Sequence, residues 1–163
     1  MAENFHAMTL NNAGELQRSY LFKIILKDGQ KYFDILMSSA KLPSMTVDER
    51  KIPVLSTYMK VAGMVNYDTW SATFMDNENG SNYKMIYGWQ QKVFNRKGLS
   101  VGFPQEYKQN ATLQLLSTAG DVTTTYTMEG LFPLTITSGD LAHANNDMIK
   151  YTVTFAMDKF TIS

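Results

Sequence analysis

Strict two-residue alternation, repeated in separate stretches, constrains this chain more than any other feature. In Tyr67–Asn79 (YDTWSATFMDNEN), Trp70, Ala72 and Phe74 share one face while Thr69, Ser71 and Thr73 share the other. Ile149–Asp158 sets Ile149, Tyr151, Val153, Phe155 and Met157 against Lys150, Thr152, Thr154 and Ala156. Val122–Glu129 sets Val122, Tyr126 and Met128 against Thr123, Thr125 and Thr127. Successive side chains of a strand point to opposite sides, so these stretches predict antiparallel strands with one packed and one wet face. Threonine suits a strand, but wet faces ordinarily carry Lys and Glu, and these carry mostly hydroxyls. A wet yet weakly charged sheet face suits a wall past which a polyanion slides without sticking.

The remaining stretches fill out a mainly β chain. Tyr20–Lys27 and Lys31–Met37 flank Asp28-Gly29, a strong hairpin signal. Leu42-Pro43 closes the second of these strands, since proline removes a ladder donor. Residues 44–66 read as a long excursion from the core with two short strand-like pieces, and Pro53 bars a central strand there. The polar cluster Asp76–Ser81 stops the strand before it. A helix is predicted over 81–97, with Tyr83, Ile86, Tyr87, Val93 and Phe94 on its apolar face and Met85 and Trp89 beside them. Arg96 and Lys97 suit its negative end and Gly98 its stop. Gly88 inside the helix costs about 1 kcal/mol relative to Ala, which implies close packing there. Ala111–Ser117 alternates with Leu113 and Leu115 inward, Ala119-Gly120-Asp121 turns the chain, and Gly130 and Pro133 separate Val122–Glu129 from a short strand, Leu134–Thr137. The expected architecture is two packed antiparallel sheets, a sandwich or partly open barrel, with one flanking helix. A single domain over 1–163 is expected, with residues 1–18 as an extended arm.

Composition excludes several chemistries. Fifteen basic and fifteen acidic residues cancel, which gives no electrostatic footprint for tight nucleic-acid binding. There is no cysteine, so disulfides and thiolate chemistry are absent. His6 and His143 are too far apart in sequence for a zinc pair. His143, between Asp140 and Asp147, has the composition of a polar loop rather than of a catalytic triad. Asp76 with Glu78 and Asp48 with Glu49 are carboxylate pairs, but sequence neighbours at turns are more often solvated. No phosphate-cradling glycine motif or calcium loop is present. No catalytic, cofactor or metal site is expected. The amino terminus lacks the basic-then-apolar pattern of a signal peptide, and no stretch is apolar enough to span a membrane as a helix; a soluble protein made in a cytoplasm is expected.

An ordered set of motifs then resembles one family. Lys41-Leu42-Pro43, Lys51-Ile52-Pro53 running to Val61-Ala62-Gly63, YDTWSATFMDNEN, Trp89-Gln90, Glu106-Tyr107-Lys108, Glu129-Gly130-Leu131-Phe132-Pro133 and MIKYTVTFAMDKF follow one another over roughly 20–160. In that order and spacing they resemble the tail tube proteins of contractile-tailed bacteriophages, with type VI secretion and extracellular injection tubes as relatives. Phe132, where Trp is expected, and Lys159-Phe160, in place of an aromatic pair, depart from the pattern.

The resemblance implies stacked hexameric rings inside a contractile sheath, with inner sheets joined into one barrel that conducts the genome. It implies a tail sheath protein, a tape-measure protein, baseplate and tail-terminator proteins as partners, DNA passing without sequence-specific binding, no stable membrane insertion, and residence in the virion tail after assembly in the host cytoplasm. The excursion at 44–66 would make ring-to-ring contacts, with Asp48, Glu49, Arg50 and Lys51 as candidates. Thr69, Ser71, Thr73, Thr123, Thr125, Thr127, Thr152 and Thr154 are the candidate lumen-facing residues. A tube initiator, a secretion-system tube subunit, a monomeric β-sandwich binding module and, more distantly, a glycosidase-like enzyme are the alternatives.

Overall fold

A computed structural model describes residues 19–28, 31–34, 37–95, 100–139 and 148–163. The arm at 1–18, the turn positions 29 and 30, Arg96, Lys97 and Gly98, and the segment holding Asp140, His143 and Asp147 lie outside the described residues. Strand β1 (Phe22–Asp28) pairs with β2 (Lys31–Asp34), and Asp28 stands opposite Lys31 as the hairpin requires. Met37, the predicted end of the return strand, belongs elsewhere. Met37–Ala40 forms a separate strand, β3, which pairs with β6 (Trp70–Met75).

The excursion is the largest correction. Residues 44–66 form not two short pieces but a long ribbon, β4 (Met45–Val54) against β5 (Thr57–Tyr67), with one irregularity between Val47 and Glu49. Pro53 sits opposite Tyr58 without harm, because a two-stranded ribbon has only edges and an outward N–H is dispensable there.

After β6 come helix α1 (Ser81–Val93), the short pair β7 (Phe94–Asn95) and β8 (Ser100–Val101), a one-turn helix α2 (Pro104–Tyr107), and β9 (Gln109–Leu116). The chain closes with β10 (Val122–Ser138), β11 (Lys150–Ala156) and β12 (Lys159–Ile162). The helix stops four residues before the predicted end because Phe94 turns extended (φ −138°) and pairs with Val101.

Leaving the helical register carries Phe94 off the apolar stripe. Ile86 and Trp89 are the buried helix positions, whereas Tyr87 and Phe94 are exposed. The implied close packing at Gly88 is absent: the glycine is exposed, and an added Cβ would meet nothing within 4 Å.

The polar break before α1 acts as its cap. Asn77 Oδ1 accepts the Ser81 N–H at 3.0 Å, and Asp76 Oδ1 accepts those of Asn77 (3.0 Å) and Asn82 (3.3 Å). These contacts satisfy donors that a helix start otherwise leaves open.

The main sheet runs β2-β1-β9-β10-β11-β6-β3, with β12 also on β10, and folds into two packed layers without closing into a barrel. β10 belongs to both. Gly130 and Pro133, which predict two strands, instead bend one strand of 17 residues. Its first part pairs with β9 and β12 and its last part with β11, with irregularities at Met128/Leu131 and Pro133/Thr135. Such bulges redirect a strand while keeping most of its ladder.

Between the layers, Ile24, Leu26, Leu113, Met128 and Leu131 from one meet Trp70, Phe74, Tyr151, Val153 and Phe155 from the other. Trp70 and Trp89 both approach the Phe155 ring, at 5.3 and 5.6 Å. Each indole N–H is satisfied at 2.6 Å, by the Lys41 and Tyr107 carbonyls respectively. Val122 and Ile149, predicted inward, are half exposed, since Val122 opens β10 and Ile149 precedes β11.

Candidate functional site

The predicted hydroxyls separate into two groups. β6 and β11 pair in register, so Ser71 stands opposite Thr154 and Thr73 opposite Thr152. Their hydroxyl oxygens lie 3.3 and 3.0 Å apart. The neighbouring strands extend both rows. Thr135 pairs with Thr154, Thr137 with Thr152, and Ser39 with Thr73. The outer face of the four strands β3, β6, β11 and the end of β10 is therefore a field of paired hydroxyls, with Lys150 at its margin. Ser39, Thr135 and Thr137 are additions to the sequence candidates, although Thr135 and Thr137 do alternate with Leu134 and Ile136.

Thr125 and Thr127 lie on the outer face of the other layer, opposite Gln114 and Thr112. That face is less neutral: Lys23 flanks Gln114, and Glu129 pairs with Lys159 at 3.0 Å. Thr123 falls at a register irregularity and donates to the Leu115 carbonyl at 3.1 Å. Thr69 is exposed and precedes β6. With the core between the layers, the two groups face opposite ways.

The neutral sheet also has two open edges. Lys41 N–H donates to Ser71 O at 3.0 Å, so alternation turns Ser39 and Lys41 toward β6 and Ala40's backbone outward. At the other end, Gly139 N–H donates to Lys150 O at 3.2 Å. Thr137 and Thr135 therefore turn toward β11, and the backbones of Ile136 and Ser138 turn outward. Among the described residues no strand pairs with either edge. Open edges are templates for pairing with another chain.

The ribbon β4–β5 pairs with no other strand among the described residues. Its base is tied by Asp68 N–H to Ser44 O (3.1 Å) and by Ser44 Oγ to Asp68 Oδ2 (2.8 Å). Of the candidate inter-ring residues, Glu49 pairs with Lys60 (2.9 Å) and Lys51 (3.4 Å), and Asp48 accepts from Asn66 at 3.2 Å; Arg50 stands opposite Val61 and is exposed. Between these charges and the tip the ribbon is apolar and exposed, through Ile52, Val54, Tyr58 and Met59. At the tip Leu55 is 104% exposed with φ +52°. That conformation costs a non-glycine residue about 1–2 kcal/mol, and here no burial offsets it.

Nothing in the described structure assembles a reaction centre. Asp76 is committed to the start of α1, Glu78 is exposed, and no group of three or more His, Asp or Glu side chains converges among the described residues. No helix of the described residues is long and apolar enough to cross a membrane.

Among the described residues, the buried titratable outlier is Tyr151. Its hydroxyl has no hydrogen-bond partner among the described groups, and burial, then Asp76, then Tyr83 push its pKa well above the ordinary 10.0. In the unfolded chain this phenol loses its proton near 10, whereas the folded one retains it, so stability falls as pH rises through that window. Tyr151→Phe removes an unsatisfied donor and keeps the ring packing on Phe74 and Tyr83. The variant should be equal to wild type or about 1 kcal/mol more stable at neutral pH, and should lose less stability above about pH 10. Urea melts at both pH values check this.

Known proteins share this architecture. Residues 4–163 match the family described as phage tail tube protein. The tail tube protein gp19 of Enterobacteria phage T4 is 26% identical over 151 residues, covering 90% of this chain and 91% of that one. Among solved structures, a chain of the sheath/tube terminator assembly of an extracellular contractile injection system, PVC, in its extended state superposes with a TM-score of 0.73 at 15% identity, over 92% of this chain and 98% of the other. A chain of the anti-feeding prophage baseplate, solved with six-fold symmetrisation, superposes at 0.67 with 16% identity, over 92% and 95%. This chain belongs to the phage tail tube protein family.

Proposed function

We propose that the chain is the structural subunit of an inner tail tube, assembling into stacked rings of six copies around a channel lined by the neutral sheet. The observation that carries this is the hydroxyl field bounded on both sides by open strand edges. Counting across that sheet, β3, β6, β11 and the end of β10 alternate in direction. An even number of strands means that a rotated copy presents its β3 antiparallel to β10 of its neighbour. The same contact repeated around an axis closes a ring whose wall keeps every hydroxyl row on one side. Six copies is the number supported by the symmetry of the baseplate relative.

Ser39, Ser71, Thr73, Thr135, Thr137, Thr152 and Thr154 would then face the lumen. Thr125 and Thr127 would face outward, toward a sheath. Paired neutral hydroxyls satisfy one another and, with the lysines confined to the margins at Lys41 and Lys150, offer phosphates little counter-charge, so a DNA genome, and before it a tape-measure protein, passes without being held. A terminator and a baseplate would cap the two ends, as the PVC and anti-feeding prophage relatives suggest. The tube would sit in the virion tail, assembled in the host cytoplasm, and would perform no catalysis.

The ribbon would carry the ring-to-ring contact. Replacing Asp48, Glu49, Arg50 and Lys51 together by Ala should leave the thermal midpoint of the subunit within about 2 °C, because exposed substitutions far from the core change stability little. It should shorten or abolish tubes in negative-stain micrographs while rings persist. Wild-type protein that stays strictly monomeric, alone and with sheath protein, would overturn the whole reading in favour of a monomeric binding module.

A further inference from the structure

We propose that Leu55, at the tip of the β4–β5 ribbon, is a knob that inserts into the groove between α1 and β10 of a second copy in the adjacent ring. The proposal rests on the stacked-ring reading and names the surfaces that meet. Two independent features lead to it. The first is the tip: a leucine held at φ +52° and wholly exposed, where asparagine or glycine would be the unstrained choice. Strain retained at a site that contributes nothing to the subunit's own packing points to a use elsewhere. The second is the groove, about 350 Å³, walled by Tyr87, Val93 and Phe94 on one side and Pro133 and Leu134 on the other. Tyr87, Phe94 and Leu134 are all exposed large apolar side chains. Gln90 closes its floor by donating to the Leu134 carbonyl at 2.9 Å.

Charge decides which cleft receives the tip. From Ile52 to Met59 the ribbon end is uncharged, and the first charges behind it are Lys51 and Lys60, opposite one another. Among the described residues, the α1–β10 groove has no charged lining residue. The cleft on the other flank of α1, over Gly88, lies between Lys84 and Lys92 and would set lysine against lysine. A second copy must supply the tip. The ribbon pairs with no other strand of its own chain among the described residues, and ten residues of strand carry Leu55 about 33 Å from the base. A knob on one surface and a groove on another also make the contact heterologous, which propagates rather than closing into a pair.

The chain has no cysteine, so a crosslink reads the contact directly. Full-length Leu55→Cys and Tyr87→Cys proteins, mixed, assembled and oxidised, should give a disulfide-linked heterodimer that neither protein forms alone. Leu55→Asn should melt at or above the wild-type temperature yet form few or no tubes, and Tyr87→Lys should share the assembly loss. Tubes that assemble normally from Leu55→Asn, or assembled tubes without the crosslink, overturn this docking and leave the ring reading standing. Wild-type protein that never forms rings or tubes overturns both.

Discussion

Ala40→Pro/Ser138→Pro is expected to remain folded and to lose rings and tubes altogether. Both residues turn their backbone N–H away from the sheet they belong to, so proline deletes no internal ladder bond. Each proline instead removes a donor from the proposed seam and places a ring where a neighbouring strand would lie. A net hydrogen bond is worth about 0.5–1.5 kcal/mol, and every seam of a ring loses two donors and gains two clashes. Circular dichroism should report an intact β fold, and size-exclusion chromatography a monomer.

The positive counterpart is Ser39→Cys/Thr137→Cys. Both residues turn their backbone inward, so across an antiparallel seam they would meet as a non-hydrogen-bonded pair, with Cα atoms about 4.5 Å apart. That spacing admits a disulfide. Oxidised rings should run as a covalent ladder under non-reducing conditions, with Ser39→Cys/Thr135→Cys reading a seam shifted by two residues. Assembled rings that crosslink in neither register, and that tolerate the prolines, would remove β3 and β10 from the seam.

Gly130→Ala should cost about 2–4 kcal/mol, a large stability loss for so small a change. Gly130 holds φ +68° at the bend that carries β10 from one layer to the other. That backbone strains any side chain by about 1–2 kcal/mol. The added methyl would also collide with the Asp158 carboxylate, which two contacts to Lys108 Nζ at 2.7 and 2.8 Å hold in place. Asp158 N–H in turn donates to Glu129 O at 3.0 Å, so the carboxylate cannot retreat without disturbing the turn into β12. Gly88→Ala is the matched control. With open space around it and a helical backbone, that change should stabilise the subunit by about 0.5–1 kcal/mol. Urea denaturation of both variants is the measurement; a Gly130→Ala protein as stable as wild type would mean that the bend in β10 does not depend on a glycine at that position.

The faces of individual strands are legible in the sequence itself. Alternation in Trp70–Met75 and Tyr151–Met157 assigns the buried Trp70, Phe74, Tyr151 and Phe155 correctly, because the pleat of a strand is a local property of the backbone. The family is legible too, from ordered motifs. What surrounds each strand is not. Ser71 and Thr154 are 83 positions apart, and only sheet pairing makes them neighbours. Thr125 and Thr127 look like Thr152 and Thr154 in sequence, yet they lie on the opposite outer face, because one bent strand serves both layers.

The helix end and the ribbon show the same limit. Phe94 keeps the helical period in sequence but leaves it through pairing with Val101, and Pro53 bars a strand only if that strand has neighbours on both sides. Local patterns are written by backbone geometry within a few residues of themselves. Register, layer and edge depend on contacts between distant segments, whose free energy is settled when the core closes around Trp70, Trp89 and Phe155.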